Sequence, residues 1–145
     1  MAPPPVLPER PAYQKYAVEV RASAIDGQGV FAAEPIAGRR KIGEIRGEAI
    51  SVAEARIRAT RHERVMIVEV STRRALDFHR STDLLRYTNH SCAPNARLVV
   101  RRGQVGIVSL RPIAAGEEIC VDYGETHHEG RRRCGCAAPG CRGWL

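Results

Sequence analysis

Three cysteines fall within eight residues near the C-terminus, in the run Cys134-Gly-Cys136-Ala-Ala-Pro-Gly-Cys141, and this spacing constrains the fold more than any other feature. Thiolates are soft ligands, and tetrahedral zinc takes four donors. A loop with three donors therefore asks the fold for a fourth. Cys92, Cys120, His127 and His128 are available. Arg131, Arg132, Arg133 and Arg142 flank the loop and favour the deprotonated thiols that metal binding requires. The plainer reading, reactive or merely buried free thiols, leaves the clustering unexplained.

The remaining totals narrow the class. A length of 145 residues is that of one domain, large enough to bury a core without disulfides. No stretch approaches the roughly 20 apolar residues of a membrane helix, and Met1 to Pro11 lacks the apolar centre of a signal peptide. An intracellular, reducing compartment is expected, where five cysteines serve as metal ligands or free thiols. The net charge of +7 is carried by arginine, since Lys15 and Lys41 are the only lysines. A basic surface suits DNA or a nucleoprotein. The scatter of the arginines along the chain equally suits a compositional bias.

Periodicity predicts a mostly-β domain with one helix. Residues 1–12 form a proline-rich arm. Strands are expected at 16–22 and 30–33, around the turn Asp26-Gly27-Gln28-Gly29, and a bent or bulged strand at 42–50, weakened by Gly43 and Gly47. Ser51-Val-Ala-Glu54 resembles a capping box opening a helix that runs to about His62. A short apolar strand at 65–70 follows, then a single helical turn at 83–87. A hairpin spans 97–111 around Gly103, and a last strand covers 118–121.

Three further segments carry chemistry. The run Tyr87-Thr-Asn89-His90-Ser91-Cys92-Ala-Pro94-Asn95 packs amide, imidazole, hydroxyl and thiol groups into a few residues, and such groups need partners when buried. An Asx-turn loop with a satisfied histidine is its bland reading. Nothing around Cys92 matches a protease nucleophile. Gly116-Glu117-Glu118-Ile119-Cys120-Val121-Asp122-Tyr123-Gly124 reads alone as a strand ending in a turn. Gly27-Gln28-Gly29 follows a strand, but no helix follows it, which excludes a Rossmann dinucleotide site.

Taken in order, these segments resemble the SET-domain family. Arg86-Tyr87-Thr88-Asn89-His90-Ser91-Cys92-Ala93-Pro94-Asn95 fits its R-[FY]-x-N-H-S-C-x-P-N signature. Gly116-Glu117-Glu118-Ile119 to Asp122-Tyr123-Gly124 fits G-E-E-[LI]-x-x-D-Y-G. Cys134-Gly-Cys136 to Cys141-Arg142-Gly143-Trp144-Leu145 fits the post-SET tail, and Gly27-Gln28-Gly29-Val30-Phe31 the opening G-x-G segment. The resemblance implies a β-clip of small curved sheets with a pseudoknot at Asn89, a short helical insert and a zinc-binding C-terminal loop. A SET domain would span 13–126, after the arm, and a post-SET segment 127–145. It implies S-adenosylmethionine held by Gly27, Gln28, Gly29, Arg86, Asn89, His90, Tyr123, Trp144 and Leu145, with glycine allowing close backbone approach. It implies one structural zinc on Cys92, Cys134, Cys136 and Cys141, leaving Cys120 as a buried thiol. The implied reaction is methyl transfer to a protein lysine, with Tyr123 as the catalytic residue and a histone or other DNA-associated protein as substrate.

Two departures bear on that chemistry. Ile45 stands where the family often has a tyrosine, which removes a second active-site hydroxyl. Val108 stands where an aromatic residue often limits the number of methyl groups, so the channel is either roomier or positions its amine less firmly. Ser81-Thr82 replaces a frequent Gly-Asn pair. Acidic candidates for guiding a basic substrate are Glu44, Glu48, Glu117, Glu118, Asp122 and Glu125. A non-catalytic SET-fold binding module and a small zinc-containing nucleic-acid binder are the competing functions; the second leaves Tyr123 and the asparagine-histidine-serine-cysteine run unexplained. The expected location is the cytoplasm of a bacterium, or the nucleus or chromatin where the protein acts in a eukaryote, with no membrane association.

Overall fold

The computed structural model describes residues 2–3, 10–62, 64–123 and 133–145. Its larger sheet has seven strands. Strand β1 (Val18–Ala22) pairs antiparallel with β2 (Gln28–Ala32), and β2 with β10 (Glu118–Val121). Beyond β10 come β8 (Ala96–Arg101), β9 (Gln104–Ser109) and β3 (Lys41–Ile45). The two-residue β7 (Asn89–His90) lies parallel to β10, with Cys120 opposite Asn89 and Val121 opposite His90.

The apolar positions of these strands explain the sheet. Val30, Ile42, Val105, Ile107, Ile119 and Val121 alternate toward one side and are at most 1% exposed, joined by Ile36, Leu85 and Ile113. A two-residue turn closes the β8–β9 hairpin, with Arg102 and Gly103 both at positive φ, the primed geometry that matches strand twist.

Residues 42–50, expected as one bent strand, divide between two sheets. β3 ends at Ile45, and β4 (Glu48–Ser51) joins a second sheet in the order β4, β6 (Arg74–Asp77), β5 (Ile67–Glu69). Gly47 marks the division: a Cβ there would lie 2.6 Å from the Phe78 ring and 2.8 Å from the Asp77 carbonyl oxygen. The helix α1 covers Val52–Ala59 and is shorter than expected. Ser51 Oγ accepts from Glu54 N at 3.0 Å, while the Glu54 carboxylate turns to Arg58, so only half of the capping box forms. A 3-10 turn at Leu84–Tyr87 sits where a helical turn is expected. Among the described residues no helix is long and apolar enough to cross a membrane.

Candidate active site

The pairing of β7 with β10 places Asn89 under the Asp26–Gln28 turn. Asn89 is 1% exposed, and its side chain is fully engaged. Nδ2 lies 3.1 Å from the Asp26 carbonyl oxygen, 3.0 Å from that of Gln28 and 3.1 Å from Glu118 Oε2. Oδ1 accepts from Arg64 Nη2 at 2.6 Å. Glu118 also accepts from Ser23 Oγ at 2.9 and 3.0 Å. Its carboxylate fills the space over Gly29, where a Cβ would come within 2.3 Å of Oε2. The bareness of Gly29 therefore serves this internal carboxylate. Gly27 is the turn's left-handed residue, at φ 46°, and a Cβ on it would lie 3.7 Å from Arg64 Nη1.

Tyr123 leaves β10 beside this floor. Its hydroxyl donates to the Thr88 carbonyl oxygen at 2.7 Å, and its backbone N–H donates to His90 Nδ1 at 2.9 Å. Burial raises the phenol pKa, against a lowering influence of nearby Arg64, so Tyr123 is neutral at pH 7. Burial lowers the pKa of His90, with Asp122 opposing and Arg142 reinforcing the shift. A neutral His90 that accepts at Nδ1 carries its proton on Nε2, 3.4 Å from Cys92 Sγ. One imidazole thus joins the backbone of Tyr123 to a thiol.

That thiol belongs to the C-terminal cluster. The sulfurs of Cys92, Cys134, Cys136 and Cys141 all lie within 4.8 Å of one another, with Cys92 Sγ 3.9 Å from Cys134 Sγ and 4.0 Å from Cys141 Sγ. A tetrahedron with bonds of about 2.3 Å has edges of about 3.8 Å, so the four residues fit zinc and could hold one ion. Backbone N–H groups already point at the sulfurs: Cys92 N at Cys136 Sγ and Arg142 N at Cys92 Sγ, both at 3.5 Å, and Gly143 N at Cys141 Sγ, at 3.4 Å. Burial works against ionising Cys136, but the N–H groups of Cys92 and Ala138 and the neighbouring thiols bring it below the ordinary thiol range, while burial pushes its neighbour Cys134 up. Gly135 lets the tail press on the first turn, since a Cβ there would be 2.3 Å from the Ile25 carbonyl oxygen. Cys120 is buried on β10, and desolvation pushes it to about 12, an inert thiol outside the cluster.

These pieces border a cleft of about 310 Å³, a volume that counts its open mouth. Ile25 and Asp26 line it from the first turn, Asn89, His90 and Tyr123 from the β7–β10 floor, and Arg64 from the loop after α1. Arg133, Cys134, Gly135 and Leu145 line it from the tail. Four of the residues expected to bind a cofactor, Asn89, His90, Tyr123 and Leu145, thus share one wall-to-wall space. Gly27, Gln28 and Gly29 stand behind the Asp26 turn. Trp144 is 54% exposed, with the Arg133 guanidinium 5.7 Å from its ring centre. Arg86 turns away, donating to the Phe78 and His79 carbonyl oxygens at 3.4 and 3.2 Å and stacking over Tyr87 at 4.2 Å. Gly124, Glu125, His127, His128, Arg131 and Arg132 lie outside the described residues.

The expected acidic guides are mostly engaged with arginine or lysine. Glu44 pairs with Lys41 and Arg46, Glu48 with Arg58, Glu117 with Arg111 and Asp122 with Arg142. Sequence reading passed over Arg64, Asp26, Thr88 and the support role of Glu118. Only the G-E-E run singled out the last of these.

The fold is curled and mostly β, and its cleft joins a half-buried phenol and a buried amide to four cysteines that could hold a metal ion. The chain belongs to the SET-domain family, whose sequence profile matches residues 27–124. It is 35% identical over 144 residues to a Candida albicans protein described as "Histone-lysine N-methyltransferase, H3 lysine-4 specific", covering 91% of this chain and 14% of that protein. A Yarrowia lipolytica protein of the same description is 36% identical, over 91% of this chain and 12% of its own length. Drosophila melanogaster "Histone-lysine N-methyltransferase SETD1" is 33% identical, over 92% and 9%. The chain thus spans at most 14% of the length of these three relatives.

Proposed function

We propose that this domain transfers a methyl group from S-adenosylmethionine to the side-chain amine of a protein lysine, with a histone-type tail as the substrate class, and that zinc on Cys92, Cys134, Cys136 and Cys141 holds the tail against the cleft. The relatives' described activity supports the reaction, and the setting of Tyr123 carries the reading. Its O–H is committed to the Thr88 carbonyl oxygen, so the phenol oxygen keeps lone pairs to accept from the N–H of an incoming amine. A free lysine amine, with a pKa near 10.4, is protonated at pH 7. The buried surroundings of Tyr123 favour the neutral, nucleophilic form by desolvation, and fixing the amine's direction can contribute several kcal/mol. When bound, the sulfonium cofactor supplies the electrophilic methyl carbon. Polar groups that suit such a ligand, Arg64, Asp26 and the Asn89 amide, line the same cleft.

Ile45 favours a second reading. It is 4% exposed and packed in the main core, so it brings no hydroxyl to the amine, as a non-catalytic binding module would allow. Radiolabelled methyl transfer to mixed histones and cell lysate separates the two. The enzyme reading expects label on protein and a loss of about 100-fold or more in Tyr123→Phe. Absence of label, with zinc and cofactor both bound, establishes the binding module instead.

A further inference from the structure

We propose that the outer face of β8, β9 and β3, centred on Arg97, Arg101 and Arg102, is a docking surface for the phosphate backbone of duplex DNA. None of these residues lines the cleft, so the surface stands whether or not the methyl-transfer reading does.

Strand alternation decides which side chains reach solvent here. Val105 and Ile107 of β9 and Ile45 of β3 are buried in the main core, with Leu98 of β8 packed against it. Their neighbours point the other way: Arg97, Val99 and Arg101 on β8, Lys41 and Glu44 on β3. The pairing sets the rows. Arg97 and Lys41 both stand opposite Val108, and Val99 and Glu44 both stand opposite Gly106. A Cβ on Gly106 would lie 3.8 Å from Lys41 Cε, so the lysine stem crosses this outer side. Arg102 continues the surface into the hairpin turn. Arg39 and Arg40 sit at the opposite end, in the turn entering β3, where the Arg40 carbonyl accepts from the N–H of Ser109, itself opposite Ala96.

The charge on this surface is nearly all of one sign. Residues 38–45 and 96–109 carry Arg39, Arg40, Lys41, Arg97, Arg101 and Arg102 against one carboxylate, Glu44. Glu44 is already paired with Lys41 and Arg46. The five arginines are exposed, and their side chains make no ion pair or hydrogen bond with a described residue. Arginines on α1 and the small sheet are instead interleaved with Glu48, Glu54, Glu69 and Asp77, which divides their field. Arg39 and Arg102 hold φ of 56° and 51°, where glycine or asparagine is more at ease, so turn geometry does not itself call for arginine.

A concentrated positive field favours a polyanion, and the planar guanidinium fork fits phosphate oxygens with two bonds. Arg97 and Arg101 are four residues apart along one strand, about 13 Å. The major groove is about 12 Å wide, so the pair can meet phosphates on its two sides. Residues 38–45 and 96–109 include no aromatic side chain, and single strands bind chiefly by stacking on such rings.

The test is a fluorescence-anisotropy titration of a labelled mixed-sequence duplex with the full chain, repeated over a range of salt. Wild type is expected to bind with a Kd of about 1–100 μM and to weaken steeply as salt rises. Combined Arg97→Gln, Arg101→Gln and Arg102→Gln should weaken binding about tenfold or more and reduce the salt slope by about one per arginine removed. Each single variant should reduce it by about one, which keeps the test decisive if the triple variant folds poorly. Combined Arg56→Gln, Arg61→Gln and Arg74→Gln removes the same charge from the small-sheet side and should stay within about threefold of wild type. Equal losses in the two triple variants overturn the proposal by assigning binding to net charge. Wild-type protein that leaves the duplex unbound overturns it as well. So does tighter binding to a single strand, or polyglutamate bound as tightly as the duplex, which would make the face one for acidic protein.

Discussion

The two sheets are held together by different physics. The larger one closes over a continuous apolar core that runs from Val18 to Val121 and includes Ile36, Ile42, Ile107, Ile113 and Ile119. Among the described residues, the smaller one shares with α1 a core of Ile50, Ala55, Ile67 and Ala75, with Val65 packed against it. It leans instead on Arg58, which reaches Glu48 at 2.7 Å, Asp77 at 2.9 Å and Glu54 at 3.1 Å. β6 serves both units through its pleat, with Ala75 in the small core and Leu76 in the main one. Close packing fixes the groups that must not move, Asn89, His90 and Tyr123. A thin core with a polar frame carries the loop after α1, which places Arg64 in the cleft.

Stripping the metal should be the strongest blow, because structural zinc contributes on the order of 10 kcal/mol in small zinc sites. With zinc loaded as proposed, a chelator or Cys92→Ser is expected to remove hydrogen-exchange protection from the Cys134–Leu145 tail while both sheets keep theirs. Protection lost equally everywhere would show that the tail belongs to the core. Next come paired truncations. Ile107→Ala, in the large core, should cost about 2–5 kcal/mol in denaturant unfolding and lower protection throughout. Ile50→Ala should cost less and act mainly on β4–β6 and α1; equal, global effects would erase the distinction between the units. Arg58→Met should also lower Tm, because it takes a partner from the Asp77 carboxylate, which is 7% exposed; the loss should stay below that of Ile107→Ala because Asp77 keeps its bonds to His79. A neutral result would mean that the small sheet stands on its apolar contacts alone.

The smallest expected effect is pH-dependent and lies on the large-sheet side. The Arg111 guanidinium, the main cause, together with the Ala114 N–H and Asn95, holds Glu117 at about 2, below the ordinary 4.5 and against the cost of its burial. A carboxylate depressed in the folded state stabilises above its unfolded pKa and loses that contribution as pH falls through the folded one. The Tm difference between wild type and Glu117→Gln should therefore be constant from pH 8 to about 5, shrink below 4.5 and be mostly lost by about pH 2. A difference that persists at pH 2 would assign the effect to shape rather than charge.

The large sheet was legible because its strands alternate, its hairpin carries Gly103 at the turn, and its chemistry sits in contiguous runs such as 86–95 and 116–123. Of the small sheet, β5 was legible as the apolar run 65–70 and β4 was read as a continuation of β3, but β6 was missed. β6 reads Arg-Ala-Leu-Asp, polar at both ends, and the buried Asp77 is met by Arg58 reaching across from α1. The division at Gly47 depends on where the Phe78 ring comes to rest. β7 is two residues of a polar run whose partner strand lies some thirty residues away. Arg64 is one arginine in an arginine-rich chain, and no local pattern marks it out. In each case the deciding partner is distant in sequence, which periodicity cannot see.

The carboxylate beneath Gly29 has a further consequence. Glu118 faces that spot because β10 meets β2 with Glu118 opposite Phe31 and Ile119 opposite Val30. Sliding the two strands by a single residue would turn Glu118 to the opposite side of the sheet and leave Ser23 and Asn89 without their shared acceptor. Correct alignment of the strands and the seating of Asn89 in the cleft floor are thus one event.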